Sequence, residues 1–238
     1  MKNILRCGFS IILFLTYFGV GSLGANEINM LVFVDPFFGG EEKGPILAQK
    51  HAAKTITLSA AQTLKSILQL RNVQVDLSRE GDNFLTLEER LSNGVLKQAD
   101  IYVAIGLSKA KRNCIRIYYP SEENTVPDEK RNDLRGTIEK LMKEGIVKES
   151  KKLAGVIYRN FEKNMARRCI EARSEKSFLL DNAQIPTVIV DFGVVNSSSV
   201  SLYIFDSEEM NKILSSLARG IIEYVFSLKD PIHLKSNR

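Results

Sequence analysis

The hydrophobic pattern of the chain predicts strands that alternate with helices. Residues 30–34 form a continuous apolar run, which is typical of a strand buried on both faces of a sheet. From 52 to 70, apolar residues recur at helical spacing, and Asn72 offers a stop. Similar patterns predict further strands at 73–77, 101–105, 115–119, 177–180 and 187–190.

Polar residues indicate where three more helices begin. Thr86 and Glu89 have the spacing of a capping box, which opens a helix to about residue 97. Ser150 is predicted to cap a helix with one apolar face, and Asp206 or Ser207 is predicted to begin the last helix.

The most polar part of the chain is residues 122–149, with one short helical candidate at 134–142. The apolar face of this candidate consists of Leu134, Ile138, Leu141 and Met142. Two interpretations fit the pattern. The stretch is either a solvated excursion, that is, a solvent-exposed segment outside the core, or a site that binds another protein.

Alternating strands and helices predict an α/β fold with a mostly parallel, twisted sheet of about six strands and helices on both faces. The chain of 238 residues is 44% hydrophobic and contains no low-complexity linker or repeat, which favours a single domain. Ligands bind such sheets at the carboxyl ends of the strands, so the segments to inspect are 35–40, 106–109 and 191–196.

The first 25 residues have the pattern of a secretory signal peptide. Lys2 and Arg6 precede an apolar run at 8–20, and small residues allow cleavage after Gly24 or Ala25. The run is shorter than the roughly 20 residues that cross a bilayer, although an uncleaved membrane anchor is the alternative. We therefore expect residues 26–238 to form the mature domain and to work outside the cytoplasm.

Cysteines and charge add little to the choice of function. Cys7 leaves with the signal peptide, and the remaining Cys114 and Cys169 either pair in an oxidising compartment or lie as two buried apolar side chains. The net charge is +5, but basic residues are interleaved with acidic ones. This distribution does not indicate a nucleic-acid partner, which requires a basic stripe.

Five segments, taken in order, carry a family resemblance. They are Val-Phe-Val-Asp-Pro at 32–36 with Gly39-Gly40, Lys-Thr-Ile-Thr-Leu at 54–58, Leu-Ser-Arg at 77–79 with Phe-Leu-Thr-Leu-Glu-Glu-Arg at 84–90, Ala-Asp-Ile-Tyr-Val-Ala-Ile at 99–105, and Pro-Thr-Val-Ile-Val-Asp-Phe-Gly at 186–193. In this order they resemble the zinc-dependent N-acetylmuramoyl-L-alanine amidases, which cut peptidoglycan. The resemblance covers nearly the whole mature chain and implies the amidase fold and a peptidoglycan or muropeptide ligand.

The same resemblance implies a zinc site whose ligands are replaced. Amidases of this family hold zinc with two histidines and a glutamate, and these positions fall on Phe38, Ala53 and Gly106. Their general base falls on Asp191. Phe, Ala and Gly offer no nitrogen, sulfur or carboxylate donor, so we expect no zinc at this site. Without the cation, nothing lowers the pKa of a bound water from ~16 toward 7.

Other chemistry in the same cleft stays open as an alternative. The only histidines are His51 and His233, and an unorthodox metal site of His51, Asp191 and a third donor would make the chain an active amidase. Asp35 and Asp191 both end predicted strands, so they can also form a carboxylate pair of the glycosidase kind. Asp35 equally suits the turn before Pro36.

The leading hypothesis is a secreted, non-catalytic amidase-fold protein that binds peptidoglycan or an envelope protein at the cell wall. Its groove rim is expected to contain Asp35, Phe37, Phe38, Gly106 and Ser108. The two phenylalanines either fill the space of the lost metal site or stack on a glycan or peptide. Some relatives carry an insertion near 122–149 whose helix covers the active site until a regulator removes it. This segment is short, so a solvated excursion stays the first interpretation, and if it is instead a binding site, the resemblance implies an envelope partner there.

Overall fold

The computed structural model describes residues 28–46, 52–122, 134–165, 167–193 and 207–229. A six-stranded sheet lies at its centre, in the order β2-β1-β3-β6-β4-β5. The strands are β1 Ile28–Pro36, β2 Val73–Leu77, β3 Ile101–Gly106, β4 Cys114–Pro120, β5 Cys169–Glu175 and β6 Thr187–Phe192. All neighbours are parallel except β4 and β6, which pair antiparallel. The predicted mostly parallel sheet is confirmed.

In the part of the chain that the structure describes, five helices flank this sheet, and they lie on both faces as predicted. They are α1 Ala53–Gln69, α2 Leu87–Leu96, α3 Leu134–Asn164, α4 Phe178–Asp181 and α5 Ser207–Lys229. The main core forms where α1, α3 and α5 cover one face, and a smaller cluster around Phe33 and Tyr102 lies under α2 and α4. In the described part of the chain, no helix has the length and apolarity to cross a membrane.

The polar stretch before residue 150 folds differently from the prediction. The short helix at 134–142 and the helix capped by Ser150 are one continuous helix, α3, of 31 residues. Ser150 does not cap: its hydroxyl donates to the Ile146 carbonyl at 2.7 Å and accepts the Thr187 N–H at 2.9 Å. The serine therefore fastens α3 to β6, and residues 123–133 of the predicted excursion lie outside the described part.

One further prediction for the region after α3 was wrong, and one strand there was not predicted. Residues 177–180 are not a strand, because Ser177 accepts the Leu180 N–H at 3.3 Å and caps the short helix α4. The true strand, β5, went unpredicted since its sequence Cys-Ile-Glu-Ala-Arg-Ser-Glu lacks an apolar run. A disulfide joins Cys114 of β4 to Cys169 of β5, opposite each other in register with Cα atoms 4.5 Å apart. The choice left open by the sequence is thus decided in favour of pairing.

Two buried arginines, which we call the arginine cradle, hold the chain where it leaves β1. Arg79 donates from Nε to the Pro36 carbonyl at 3.0 Å and from Nη2 to the Phe37 carbonyl at 3.2 Å. Arg90 donates to the Pro36 carbonyl at 3.0 Å and to the Phe38 carbonyl at 2.9 Å. Three successive carbonyls are therefore fixed by two guanidinium groups that are at most 2% exposed.

A capping box predicted from the sequence fixes the helix that carries Arg90. The predicted capping box is present, with the Glu89 N–H donating to the Thr86 hydroxyl at 3.1 Å and the Thr86 N–H to the Glu89 carboxylate at 2.8 Å. This fixes the start of α2, so that Arg90 in its first turns points inward. Burial, together with the neighbouring Arg90, lowers the pKa of Arg79.

Asp35 supplies the negative charge of the cradle. Its fully buried carboxylate accepts from Arg90 Nη1 at 2.6 Å, from the Tyr102 hydroxyl at 2.7 Å and from the Ser78 hydroxyl. Burial and this carboxylate raise the pKa of Tyr102 well above its ordinary value. The prediction that Asp35 lies on the groove rim is wrong because these donors enclose its oxygens. For the same reason Asp35 does not form a glycosidase-like pair with Asp191.

Replacing Arg90 by methionine tests this arrangement. Arg90→Met leaves Asp35 buried without its cation, which should lower the free energy of unfolding by about 3–5 kcal/mol. Urea denaturation of the mature chain measures the loss. The matched control is Lys97→Met, which removes the exposed Lys97–Asp76 ion pair, whose atoms are 3.3 Å apart, and should lose about 1 kcal/mol or less. Equal losses in the two variants would contradict a central role for the cradle.

Candidate functional site

A pocket of about 390 Å³, here called the Asp191 pocket, opens at the carboxyl ends of β1, β3 and β6. Five of the residues predicted from the strand ends lie on its wall: Phe37, Phe38, Gly106, Ser108 and Asp191. Residues from β4 and β5 complete the lining, notably Tyr118, Arg173 and Glu175.

The loop after β1 turns sharply because three successive residues have left-handed backbone conformations. The φ angles are 68° at Phe38, 140° at Gly39 and 55° at Gly40. A Cβ atom on Gly39 would lie 2.2 Å from the Asn83 carbonyl oxygen, so glycine is required there. Phe38 is unusual, since bulky residues avoid this region, and its carbonyl is held by Arg90.

The two phenylalanine rings of this loop point to different surroundings. The Phe38 ring packs against the main core and lies so close to Gly44 that a Cβ there would be 2.6 Å from its Cδ2. The Phe37 ring packs on the smaller cluster and lies beside Gly106. A Cβ on Gly106 would be 3.4 Å from Phe37 Cδ2 and 3.6 Å from Asp191 Oδ1. A side chain at 106 would therefore project between the Phe37 ring and Asp191.

Asp191 ends β6 and is 5% exposed. Its Oδ2 accepts from the Ser108 hydroxyl at 2.5 Å and lies 3.7 Å from Arg116 Nη1. Burial raises the pKa of Asp191, while the Ser108 hydrogen bond and the charge of Arg116 oppose that rise. The carboxylate can thus accept a proton or a ligand N–H, although Ser108 and Arg116 already engage one of its oxygens.

Arg116 links Asp191 to the edge of the sheet. Its Nε lies 3.3 Å from the carboxylate of Glu171 on β5, so one guanidinium connects two acids across three strands. Gly193 makes room for it, because a Cβ at 193 would be 2.2 Å from Arg116 Nη1. Sequence reasoning missed Arg116 and Tyr118 because it predicted the strand β4 but not its place beside β6. It missed Arg173 because β5 was not recognised as a strand.

The three positions to which the family resemblance assigns zinc ligands, 38, 53 and 106, carry residues that do not fit a metal ion. Phe38 presents a hydrocarbon ring, and Gly106 has no side chain. Ala53, the first residue of α1, has only a fully buried methyl group. None offers a nitrogen, sulfur or carboxylate donor. The Phe37 ring beside Gly106 further narrows the space where a ligand at 106 would project.

Substitute ligands are not assembled in the described ranges of the chain. A shared metal ion needs at least three His, Cys, Asp or Glu side chains whose ligand atoms lie close together. Among the described residues, one group meets this condition, and it consists of Cys114, Cys169 and Glu171. Both of these sulfurs are joined in the disulfide. The sequence candidates His51 and His233 lie outside the described residues.

Comparison with known proteins agrees with this fold and with the order of the motifs. The N-acetylmuramoyl-L-alanine amidase family model matches residues 32–223. Among similar curated proteins, the germination-specific N-acetylmuramoyl-L-alanine amidase of Bacillus subtilis is 23% identical, over 84% of this chain and 82% of that protein. The amidase AmiA of Salmonella typhimurium is also 23% identical, over 82% of this chain and 75% of that protein.

Solved amidase structures share the fold. The catalytic domain of CwlV from Bacillus (Paenibacillus) polymyxa superposes with a TM-score of 0.66 at 22% identity, covering 83% of this chain and 98% of that domain. The CwlD amidase of Clostridioides difficile, solved in complex with the GerS lipoprotein, gives 0.62 at 20% identity, covering 83% and 99%. With a family model that spans most of its length, the chain belongs to the N-acetylmuramoyl-L-alanine amidase family.

Proposed function

We propose that this chain is a catalytically inactive member of the family that is exported to the cell wall and binds peptidoglycan through the Asp191 pocket. The observation that carries this proposal is the side-chain chemistry at 38, 53 and 106, where no atom can hold zinc and the Phe37 ring borders Gly106. Residues 1–25, the proposed signal peptide cleaved after Gly24 or Ala25, would direct export. The Cys114–Cys169 disulfide supports an oxidising compartment outside the cytoplasm.

Asp191 alone is a weak basis for amide hydrolysis. In the absence of a cation that polarises the scissile carbonyl and acidifies water, a carboxylate must do both with its own charge. Here the Asp191 carboxylate already accepts a hydrogen bond from the Ser108 hydroxyl and lies beside the guanidinium of Arg116. We infer that Asp191 orients a bound ligand by accepting one of its N–H groups.

The lining of the Asp191 pocket suits an amphipathic ligand such as a muropeptide. Phe37 and Tyr118 present aromatic rings, against which the apolar face of a sugar or a peptide side chain packs. Arg173, with its guanidinium 5.2 Å above the Tyr118 ring, offers a cation for peptide carboxylates. A mixture of apolar wall and few charged groups is typical of small-ligand pockets.

Sedimentation with insoluble peptidoglycan tests this proposal. The mature chain should pellet with the sugar polymer and release no peptide into the supernatant. Phe37→Ala should weaken binding about fivefold, because a lost aromatic contact removes about 1 kcal/mol. Phe226→Ala is the matched control, because Phe226 on α5 is 49% exposed and does not line the Asp191 pocket. This variant should bind peptidoglycan as the wild type does.

Two outcomes would contradict the proposal. Peptide release that an Asp191→Ala change abolishes would establish the alternative, an active amidase with an unorthodox metal site. A mature chain that stays in the supernatant at every peptidoglycan concentration would exclude the wall-binding role.

A second candidate function is the binding of an envelope protein by the first half of α3. There the predicted apolar face is solvent-exposed, with Leu134 77%, Ile138 49%, Leu141 61% and Met142 63% exposed. The one buried hydrophobic side chain of this half is Val147, near its end. Exposed apolar side chains at helical spacing are typical of a surface that another protein covers. The CwlD relative, whose structure contains a lipoprotein, shows one amidase of this fold in such a complex.

Changing Leu141 to lysine tests the envelope-partner surface. An envelope protein captured by the wild-type mature chain should be lost with Leu141→Lys, because a charge is placed in the centre of the apolar face. Leu70→Lys is the control, since Leu70 is 82% exposed at the end of α1 and should retain the partner. Retention by both variants would contradict the role of α3.

A further inference from the structure

The strand β5 forms one edge of the sheet. It pairs with β4 along all seven of its residues, from Cys169 opposite Cys114 to Glu175 opposite Pro120. Among the described strands, none pairs with its other side. Ala172, at the middle of the strand, and the next two residues, Arg173 and Ser174, are exposed. The backbone on the outer side of β5 is therefore accessible for pairing with another strand.

The order of charges along β5 is self-complementary when two copies run antiparallel. If Ala172, the middle residue, lies opposite Ala172 of a second copy, then Glu171 lies opposite Arg173 of that copy and Arg173 opposite its Glu171. Opposite charges directly across a strand pair stabilise it, whereas like charges oppose it. This register also overlaps all seven residues, including Ile170 with Ser174.

We propose that β5 pairs with β5 of a second copy about a two-fold axis through Ala172, joining the two sheets into one. Such an interface is isologous, because the same strand supplies both sides. Glu171 and Arg173 would form two symmetric ion pairs on the face that carries Arg116 and Tyr118. Arg173 is suited to this role because its side chain is 56% exposed and can leave its contact with Glu175, 3.2 Å away.

The opposite face of β5 leaves room for the approaching strand. There, an open groove of about 690 Å³ runs between α3 and β5, with Tyr119, Gly155 and Tyr158 on its wall. Ala172 has a small side chain, and a Cβ on Gly155 would meet only the far end of Arg159 within 4 Å. In the proposed dimer, this groove would meet the equivalent groove of the second copy at the two-fold axis.

This interface is short, so the dimer should exist in a concentration-dependent equilibrium. Seven residues extend for about 24 Å, and one strand pair buries less surface than permanent dimers do. The interaction should weaken with added salt, since its ion pairs are exposed. The disulfide between β4 and β5 holds the edge strand in place, so the experiments use the unreduced mature chain.

Sedimentation equilibrium tests the proposal. The wild-type mature chain should show a reversible monomer–dimer equilibrium. Arg173→Glu places glutamates opposite each other twice and should raise the dimer dissociation constant about tenfold or more. Arg71→Glu is the control with the same change of charge, because Arg71 is exposed and lies just before β2, at the opposite edge of the sheet; its dissociation constant should match the wild type.

Mixing two charge variants gives a second, independent readout. Glu171→Arg alone should also dissociate, but an equimolar mixture with Arg173→Glu should form a heterodimer. In that heterodimer one copy is basic at both positions and the other is acidic at both, so both pairs again join opposite charges, one in the wild-type sense and one reversed. Circular dichroism must show that Glu171→Arg is folded, as Glu171 also meets Arg112 and Arg116; otherwise the comparison of Arg173→Glu with Arg71→Glu decides. A wild-type chain that stays monomeric at high concentration, or a dimer unaffected by Arg173→Glu, would overturn the proposal.

Discussion

Burying two guanidinium groups side by side is unfavourable unless their N–H groups find acceptors, and the chain after β1 provides these acceptors as consecutive carbonyls. Arg79 and Arg90 take the carbonyls of Pro36, Phe37 and Phe38, while Asp35 balances one of the two charges. Because these contacts over-determine the backbone, the chain can keep an aromatic residue in a left-handed conformation. The positions of both phenylalanine rings follow from this constraint.

The consequence for chemistry concerns the pocket at the strand ends, where the residues at 38, 53 and 106 offer no donor atom for a metal ion. The loop, the strand ends and the carboxylate of Asp191 still surround one pocket. There, the Phe37 ring borders the residue at 106, and the Phe38 ring packs into the main core. Apolar packing is a favourable use of space that no longer holds a hydrated cation, which agrees with a binding role.

Much of the fold was predictable because it depends on local signals. The apolar runs of β1, β3 and β6 and the capping box at Thr86 depend on neighbouring residues alone, and all were found. The strand β5 was missed because an exposed edge strand needs no apolar alternation. The break predicted at Ser150 was wrong because its hydroxyl satisfies a β6 N–H, a contact that is invisible until α3 packs against the sheet.

The candidate site was predictable to the extent that strand ends converge. That rule brought Phe37, Phe38, Gly106, Ser108 and Asp191 together. It failed for Asp35, whose partner Arg90 is 55 residues away in sequence on α2 and draws the carboxylate inward. The rule also missed the contribution of β4 and β5. The sequence did not reveal that β4 pairs with β6 and β5 with β4, and the positions of their charged side chains depend on those pairings.

The central claim is our proposal that positions 38, 53 and 106 leave no tight metal site, and elemental analysis of purified, unreduced residues 26–238 tests it most directly. We predict zinc far below one ion per chain after dialysis, and a melting temperature that neither added zinc nor a chelator changes. One tightly held zinc per chain, lost when Asp191 is changed to alanine, would contradict the account.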